Sequence, residues 1–176
     1  NQPAIARLNG DLKAISSEIL TESQILSMAS SVLTSDQEAW FRVHNDLDFS
    51  YFIKGGGRFR GNMLRHADGV NLMLRVLPDD LPDLKQLDLP DYIRDLAQLR
   101  SGLVLVVGPA VAGKTTTVAA LLNTINETRN KNIITIENPI EYVHTRKNSL
   151  ITQREIGRHT PTAARALRAA LREDPD

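Results

Sequence analysis

Hydrophobic positions change their period along this chain, and each change predicts an element. Between residues 21 and 45 the spacing is helical. Ile25, Leu26, Met28, Ala29, Val32 and Leu33 form the apolar face of a first predicted helix. Thr21-x-x-Gln24 and Ser35-x-x-Glu38 have the capping-box pattern and predict two helix starts. From residue 46 the period falls to two. Leu47, Phe49, Tyr51 and Ile53 alternate with polar residues such as Asp46, Asp48 and Ser50, and Gly55-Gly56-Gly57 turns the chain. In the next strand Phe59, Gly61 and Met63 share one face, so Arg58, Arg60 and Asn62 share the other. Val70, Leu72, Leu74 and Val76 point inward on a third strand, leaving Asn71, Met73 and Arg75 outward. The first half therefore reads as helices plus an antiparallel sheet with one apolar face and one arginine-bearing face.

The second half has a different rhythm. Pro78, Pro82 and Pro90 stand among acids and leucines in a linker-like stretch, and a short helix is expected near 90–98. Leu103-Val104-Leu105-Val106-Val107 is a continuous apolar run of the length of a buried parallel strand. Val118, Leu121, Leu122 and Ile125 then recur on one helical face. A strand at Asn132–Ile136, a further strand at Leu150–Gln153 and a helix from about Pro161 are expected to follow. Strands alternating with helices predict an α/β fold with a parallel sheet. The expected division is an α+β domain at residues 1–97 and a second domain at 98–176.

Composition narrows the chemistry. The 176 residues carry 21 basic and 21 acidic side chains, so no global field favours nucleic acid or an anionic membrane. There is no cysteine, which removes disulfides, thiolate zinc sites and a thiol nucleophile. His44, His66, His144 and His159 lack metal-ligand spacing. No apolar stretch has transmembrane length, so a cytoplasmic protein is expected. Asn1 is not an initiator Met, and Asp176 closely follows a predicted helix. These ends lead us to expect a fragment of something longer.

Gly108-Pro109-Ala110-Val111-Ala112-Gly113-Lys114-Thr115 fits G-x-x-x-x-G-K-[ST], the phosphate-binding P-loop. Its place between an apolar run and an amphipathic helix is what the chemistry needs. Loop N–H groups and the positive end of a helix dipole converge on a phosphate there. Lys114 can reach the β- and γ-phosphates of ATP, and the Thr115 hydroxyl can ligate Mg²⁺. Glu137 ends an apolar strand, and Glu141 follows four residues later. Either acid is a candidate for holding Mg²⁺ or orienting water, and Glu137 is a candidate Walker B acid. The competing reading makes both ordinary acids of a solvated loop. Arg58, Arg60, Arg65 and Arg75 form a cluster suited to phosphates, against the plainer reading of a solvated sheet face.

Four segments carry a family resemblance: GLVLVVGPAVAGKTTTVAALLNTINETR, IITIENPIEYVH, ITQREIGRHT and ALRAALREDPD. They resemble the secretion ATPase superfamily, most nearly its type IV pilus retraction, or twitching-motility, branch. LNGDL, DLDFSY, GRFRGNMLR and LMLRVLP resemble that family's PAS-like N-terminal domain. The resemblance implies a PAS-like domain followed by a partial RecA-like P-loop core, truncated before the family's own Walker B and His-box segments. It implies a homo-oligomer, a hexameric ring that hydrolyses ATP with Mg²⁺. Such a ring would be peripheral to the membrane, at the inner face of the inner membrane, on the pilus platform protein and without direct nucleic-acid contact. By resemblance, Gly108, Ala110, Val111, Ala112, Gly113, Lys114, Thr115 and Thr116 hold nucleotide, and Thr115 the metal. Glu141 matches the family's general base and Glu137 the first acid of its Asp box. Arg58, Arg60 and Arg75 match arginines that reach nucleotide at a subunit junction.

The sequence also departs from the family pattern. GPAVAGKT replaces the usual GPTGSGKT, so Val111 stands where the family has Gly. Asn138 and His159 each replace an Asp. Two alternatives therefore stay open. One is a degenerate or truncated, non-hydrolysing nucleotide-binding assembly subunit. The other is a type II secretion or pilus-extension ATPase.

Overall fold

The structure is a computed structural model and describes residues 2–176. It is a mixed α/β chain of two compact units, Asn1–Val76 and Leu77–Asp176.

The first unit opens with a hairpin, β1 (Gln2–Leu8) and β2 (Asp11–Leu20), closed by Asn9-Gly10. Both turn residues have positive φ, 51° and 94°, the backbone for which Asn-Gly turns are favoured. Helices α1 (Glu22–Ser30) and α2 (Ser35–His44) follow. The capping box expected at Thr21 and Gln24 starts α1, with both reciprocal hydrogen bonds formed. The second box is one residue earlier than expected: Thr34 and Gln37, not Ser35 and Glu38. The reason is conformational. An N-cap needs extended backbone, which Thr34 has at φ −81°, ψ 160°, while Ser35 is already helical.

Strands β3 (Asp46–Ile53), β4 (Gly57–His66) and β5 (Gly69–Leu77) form one sheet in the order β3-β4-β5. β3 and β4 pair antiparallel, with Phe49 opposite Gly61 and Ser50 opposite Arg60. Leu47, Phe49, Met63 and Val70 are buried with Ala29 and Phe41 in this unit's core. The predicted alternation holds there. On β5 it holds for Val70 and fails further along, where Leu74 and Val76 are exposed. Gly61 has a packing reason. A Cβ at that position would lie 2.2 Å from Cζ of Phe49, so the absent side chain makes room for the ring.

In the second unit, α3 (Tyr92–Asp95) and a 3₁₀ turn (Leu96–Gln98) precede α4 (Lys114–Thr128), β6 (Asn132–Glu137), β7 (Leu150–Glu155) and α5 (Ala163–Ala170). Segment 78–97, which the sequence places with the first half, packs here. Leu84 and Ala97 join Ala120 and Leu121 of α4 in one apolar cluster. β6 and β7 are parallel, with Thr135 opposite Gln153 and Glu137 opposite Glu155. One predicted strand is absent: Leu103–Val107 forms no ladder among the described residues. A strand exists only with a neighbour in register, and the two-stranded sheet β6-β7 does not extend to this run. The apolar run stays exposed, Leu103 by 82% and Val107 by 84%.

Candidate functional site

Residues 108–113 form the turn that feeds α4. Gly113 is its N-cap in a left-handed conformation, φ 86°, and has no side chain with which to cap. The first N–H groups of α4 therefore have no side-chain cap, the condition in which a helix start accepts an anion. Lys114 is the first helical residue. Its ammonium donates to the carbonyl oxygens of Gly108, at 2.9 Å, and Pro109, at 2.6 Å, and so lies over the loop. Thr117 Oγ1 donates to the Gly113 carbonyl at 3.0 Å and secures the helix start. Thr115 is exposed, and Thr116 Oγ1 lies 3.2 Å from the Tyr142 hydroxyl. Ala110 and Ala112 are exposed in the turn. Val111 has φ 65° and is 98% exposed. A β-branched residue in the left-handed region is strained, because its Cβ substituents crowd the backbone.

Glu137 is the last residue of β6. Its Oε1 accepts from Thr135 Oγ1 at 2.5 Å and from Gln153 Nε2 at 3.0 Å. Gln153 Nε2 also donates to the Tyr142 carbonyl at 2.8 Å, and its Oε1 accepts the His144 N–H at 2.8 Å. Two residues along β7, the buried Glu155 accepts the Ile140 N–H at 3.0 Å. Glu141 lies between these anchors and is half-buried. Asn138 is exposed. His159 serves the turn after β7, its Nδ1 accepting the Glu155 N–H at 3.0 Å.

Burial lowers the pKa of His144 below its ordinary value, against the opposing field of Glu137 and with that of Lys147. The ring's Nδ1 is enclosed without a hydrogen-bond partner, in keeping with a neutral imidazole.

The structure thus gathers Thr116, Tyr142, Gln153 and Glu137 into one linked set. Gln153, Tyr142 and Glu155 escaped the sequence reading. The signal for Gln153 and Glu155 was polar residues at alternate positions in a strand expected to stop at Gln153; Tyr142 carried none.

In the first unit Arg58 and Arg60 lie on the face of β4 opposite Gly61 and Met63. Arg60 pairs with Asp48 at 3.8 Å, and Asn62 Nδ2 donates to Asp46 and Asp48, each at 3.3 Å. Arg75 is exposed on β5. Arg65 belongs to a structural contact instead, bonding Glu22 at 2.9 Å and Asn45 at 3.1 Å. Among the described residues no cluster of His, Cys, Asp or Glu is built to hold a metal by itself, and no helix is long and apolar enough to cross a membrane.

A glycine turn entering a helix on lysine, followed in the chain by a parallel strand that ends in an acid, is the local architecture of a phosphate-binding unit. The family model described as Type II/IV secretion system protein matches residues 6–176, and the chain belongs to that family. Its relatives include the twitching motility protein of Neisseria gonorrhoeae, 39% identical over 97% of this chain and 46% of that protein. The type IV pilus retractation ATPase PilT of Pseudomonas aeruginosa is 36% identical over 99% of this chain and 51% of its own length. A crystal structure of the pilus retraction motor PilT with bound ADP superposes with a TM-score of 0.94 at 41% identity, over 99% of this chain and 51% of that one. The ATPase DotB of Legionella pneumophila gives 0.83 at 28% identity, over 99% and 50%. The chain spans about half the length of the curated relatives it matches.

Proposed function

We propose that this chain is the nucleotide-holding part of an ATP-hydrolysing motor subunit that powers type IV pilus retraction. The observation that carries the reading is the uncapped start of α4, with Lys114 at its first position behind a glycine turn. In this reading the first unit is PAS-like and residues 98–176 belong to a RecA-like core. The working assembly is a hexamer at the cytoplasmic face of the inner membrane, acting on the pilus platform protein.

The residues present fit a magnesium nucleotide. Thr115 offers an exposed hydroxyl next to Lys114, and acids stand on the segment that touches α4 through Tyr142. Mg²⁺, held by Thr115, would neutralise charge on the β- and γ-phosphates. The chain's own residues do the rest. Loop N–H groups of residues 110–115 orient the phosphates. The Lys114 ammonium exchanges the Gly108 and Pro109 carbonyls for phosphate oxygens. Glu141 takes the proton of the attacking water, and Glu137 holds charge beside it. Catalysis of this kind is positioning and electrostatics rather than covalent chemistry.

Val111 supports a second reading, a subunit that binds nucleotide weakly and serves assembly. Its φ of 65° puts strain in the loop. ATP turnover by the full-length protein separates the two. Turnover abolished by Lys114→Ala supports the motor; no turnover above background in the unmodified protein supports the assembly subunit.

A further inference from the structure

We propose that Gln153 is a positioning residue that fixes Glu137 and the Glu141 segment in one frame with the P-loop helix. The proposal rests on the motor reading above. Three bonds define the side chain. Its Nε2 donates to Glu137 Oε1 (3.0 Å) and to the Tyr142 carbonyl (2.8 Å), and its Oε1 accepts the His144 N–H (2.8 Å). The orientation of the carboxamide is unambiguous. Flipping it would set the oxygen against two acceptor oxygens and the amino group against an N–H.

These bonds do more than hold a loop. Glu155, on the same face of β7, accepts the Ile140 N–H at 3.0 Å. The two side chains therefore pin backbone at residues 140, 142 and 144, every second position, and Glu141 sits between two pinned neighbours. The same carboxamide bonds the acid at the end of β6. The Tyr142 hydroxyl then meets Thr116 Oγ1 in the first turn of α4, one residue past Thr115. Gln153 is thus bonded both to an acid and to the segment that carries the other acid and touches α4. Acids that act on a phosphoryl group must keep their spacing, and an ångström of misplacement costs about 10²-fold in rate.

The test is ATP turnover and ATP affinity in the full-length protein, for the unmodified sequence, Lys114→Ala, Gln153→Glu and Gln153→Ala. Gln153→Glu keeps the shape and the acceptor for the His144 N–H but turns both donors into acceptors. We expect kcat to fall about 10- to 100-fold in both Gln153 variants, with the ATP dissociation constant within about threefold, because Lys114 and the loop N–H groups are untouched. Thermal melting of each variant separates this from unfolding. Unchanged kcat in Gln153→Glu, with Lys114→Ala inactive, overturns the positioning role and leaves the motor reading standing. Equal losses of kcat and affinity, tracking a lowered melting temperature, also overturn it, since a structural role does that. No turnover in the unmodified protein overturns the motor reading, and the positioning role with it.

Discussion

Val111 is the residue whose backbone argues most directly about activity. It stands where the family pattern has Gly, a residue that takes positive φ freely, and its φ is 65°. The side chain is almost fully exposed, so no packing compensates the strain. Such strain is worth about 1–3 kcal/mol. Part of it is relieved in any state where the loop opens, so Val111→Gly should favour the ordered loop. We expect the substitution to tighten ATP binding about tenfold, since 1.4 kcal/mol is one decade. Titration calorimetry on both forms reads this directly. An unchanged dissociation constant would mean the loop relaxes at no cost, which weakens the case for an assembly subunit. Gln153 makes the complementary point at this scale. Only its alternation with Glu155 marks it, and that does not reveal its role, because its partners are the backbone of residues 142 and 144 and a carboxylate on a neighbouring strand.

At the scale of elements, periodicity was legible and pairing was not. The runs that became β6 and β7 were readable as strands, but which run finds a ladder is set by its neighbours. The helix after Lys114 and the alternation of Leu47, Phe49, Gly61 and Met63 are local and hold. The Asn9-Gly10 hairpin was missed although Asn-Gly is a strong turn signal, because its flanking strands do not alternate cleanly. Leu103–Val107 has the composition of a strand but no ladder, and no local pattern can supply a partner. The α4 face was also only partly legible. Leu121 is buried as expected, yet Val118 is exposed, while Asn123 and Asn126 are buried. Asn126 is buried because its amide binds the Thr145 carbonyl and accepts the Lys147 N–H. Gly61 gives the element-scale prediction. An alanine there collides with the Phe49 ring, which is itself in the core. Gly61→Ala should destabilise the chain by about 1–3 kcal/mol, the usual cost of overpacking. Urea unfolding measures it, and an unchanged midpoint would show that the ring can move freely.

At the scale of the whole molecule the question is whether Arg58, Arg60 and Arg75, which belong to the first unit, act on nucleotide at all. Arg60 and Asp48 form a half-exposed pair of the kind worth about 0–1 kcal/mol, so Arg60→Ala should leave the first unit folded. If these arginines act on nucleotide held by a neighbouring subunit, the same change removes an effect of about 10³–10⁵ in rate. Mixing Arg60→Ala with Lys114→Ala chains should then restore some turnover, because an intact arginine face meets an intact loop across a shared interface. Full activity in Arg60→Ala alone would reduce the cluster to a solvated sheet face. No recovery in rings shown to contain both chains would rule out action between subunits. Beneath all of this lies the claim that residues 108–116 hold the phosphates of ATP, and Lys114→Ala in the full-length protein tests it most directly. The account predicts that the variant melts like the unmodified protein, hydrolyses no ATP above background and loses nucleotide affinity. Unchanged turnover and unchanged affinity in Lys114→Ala would contradict it.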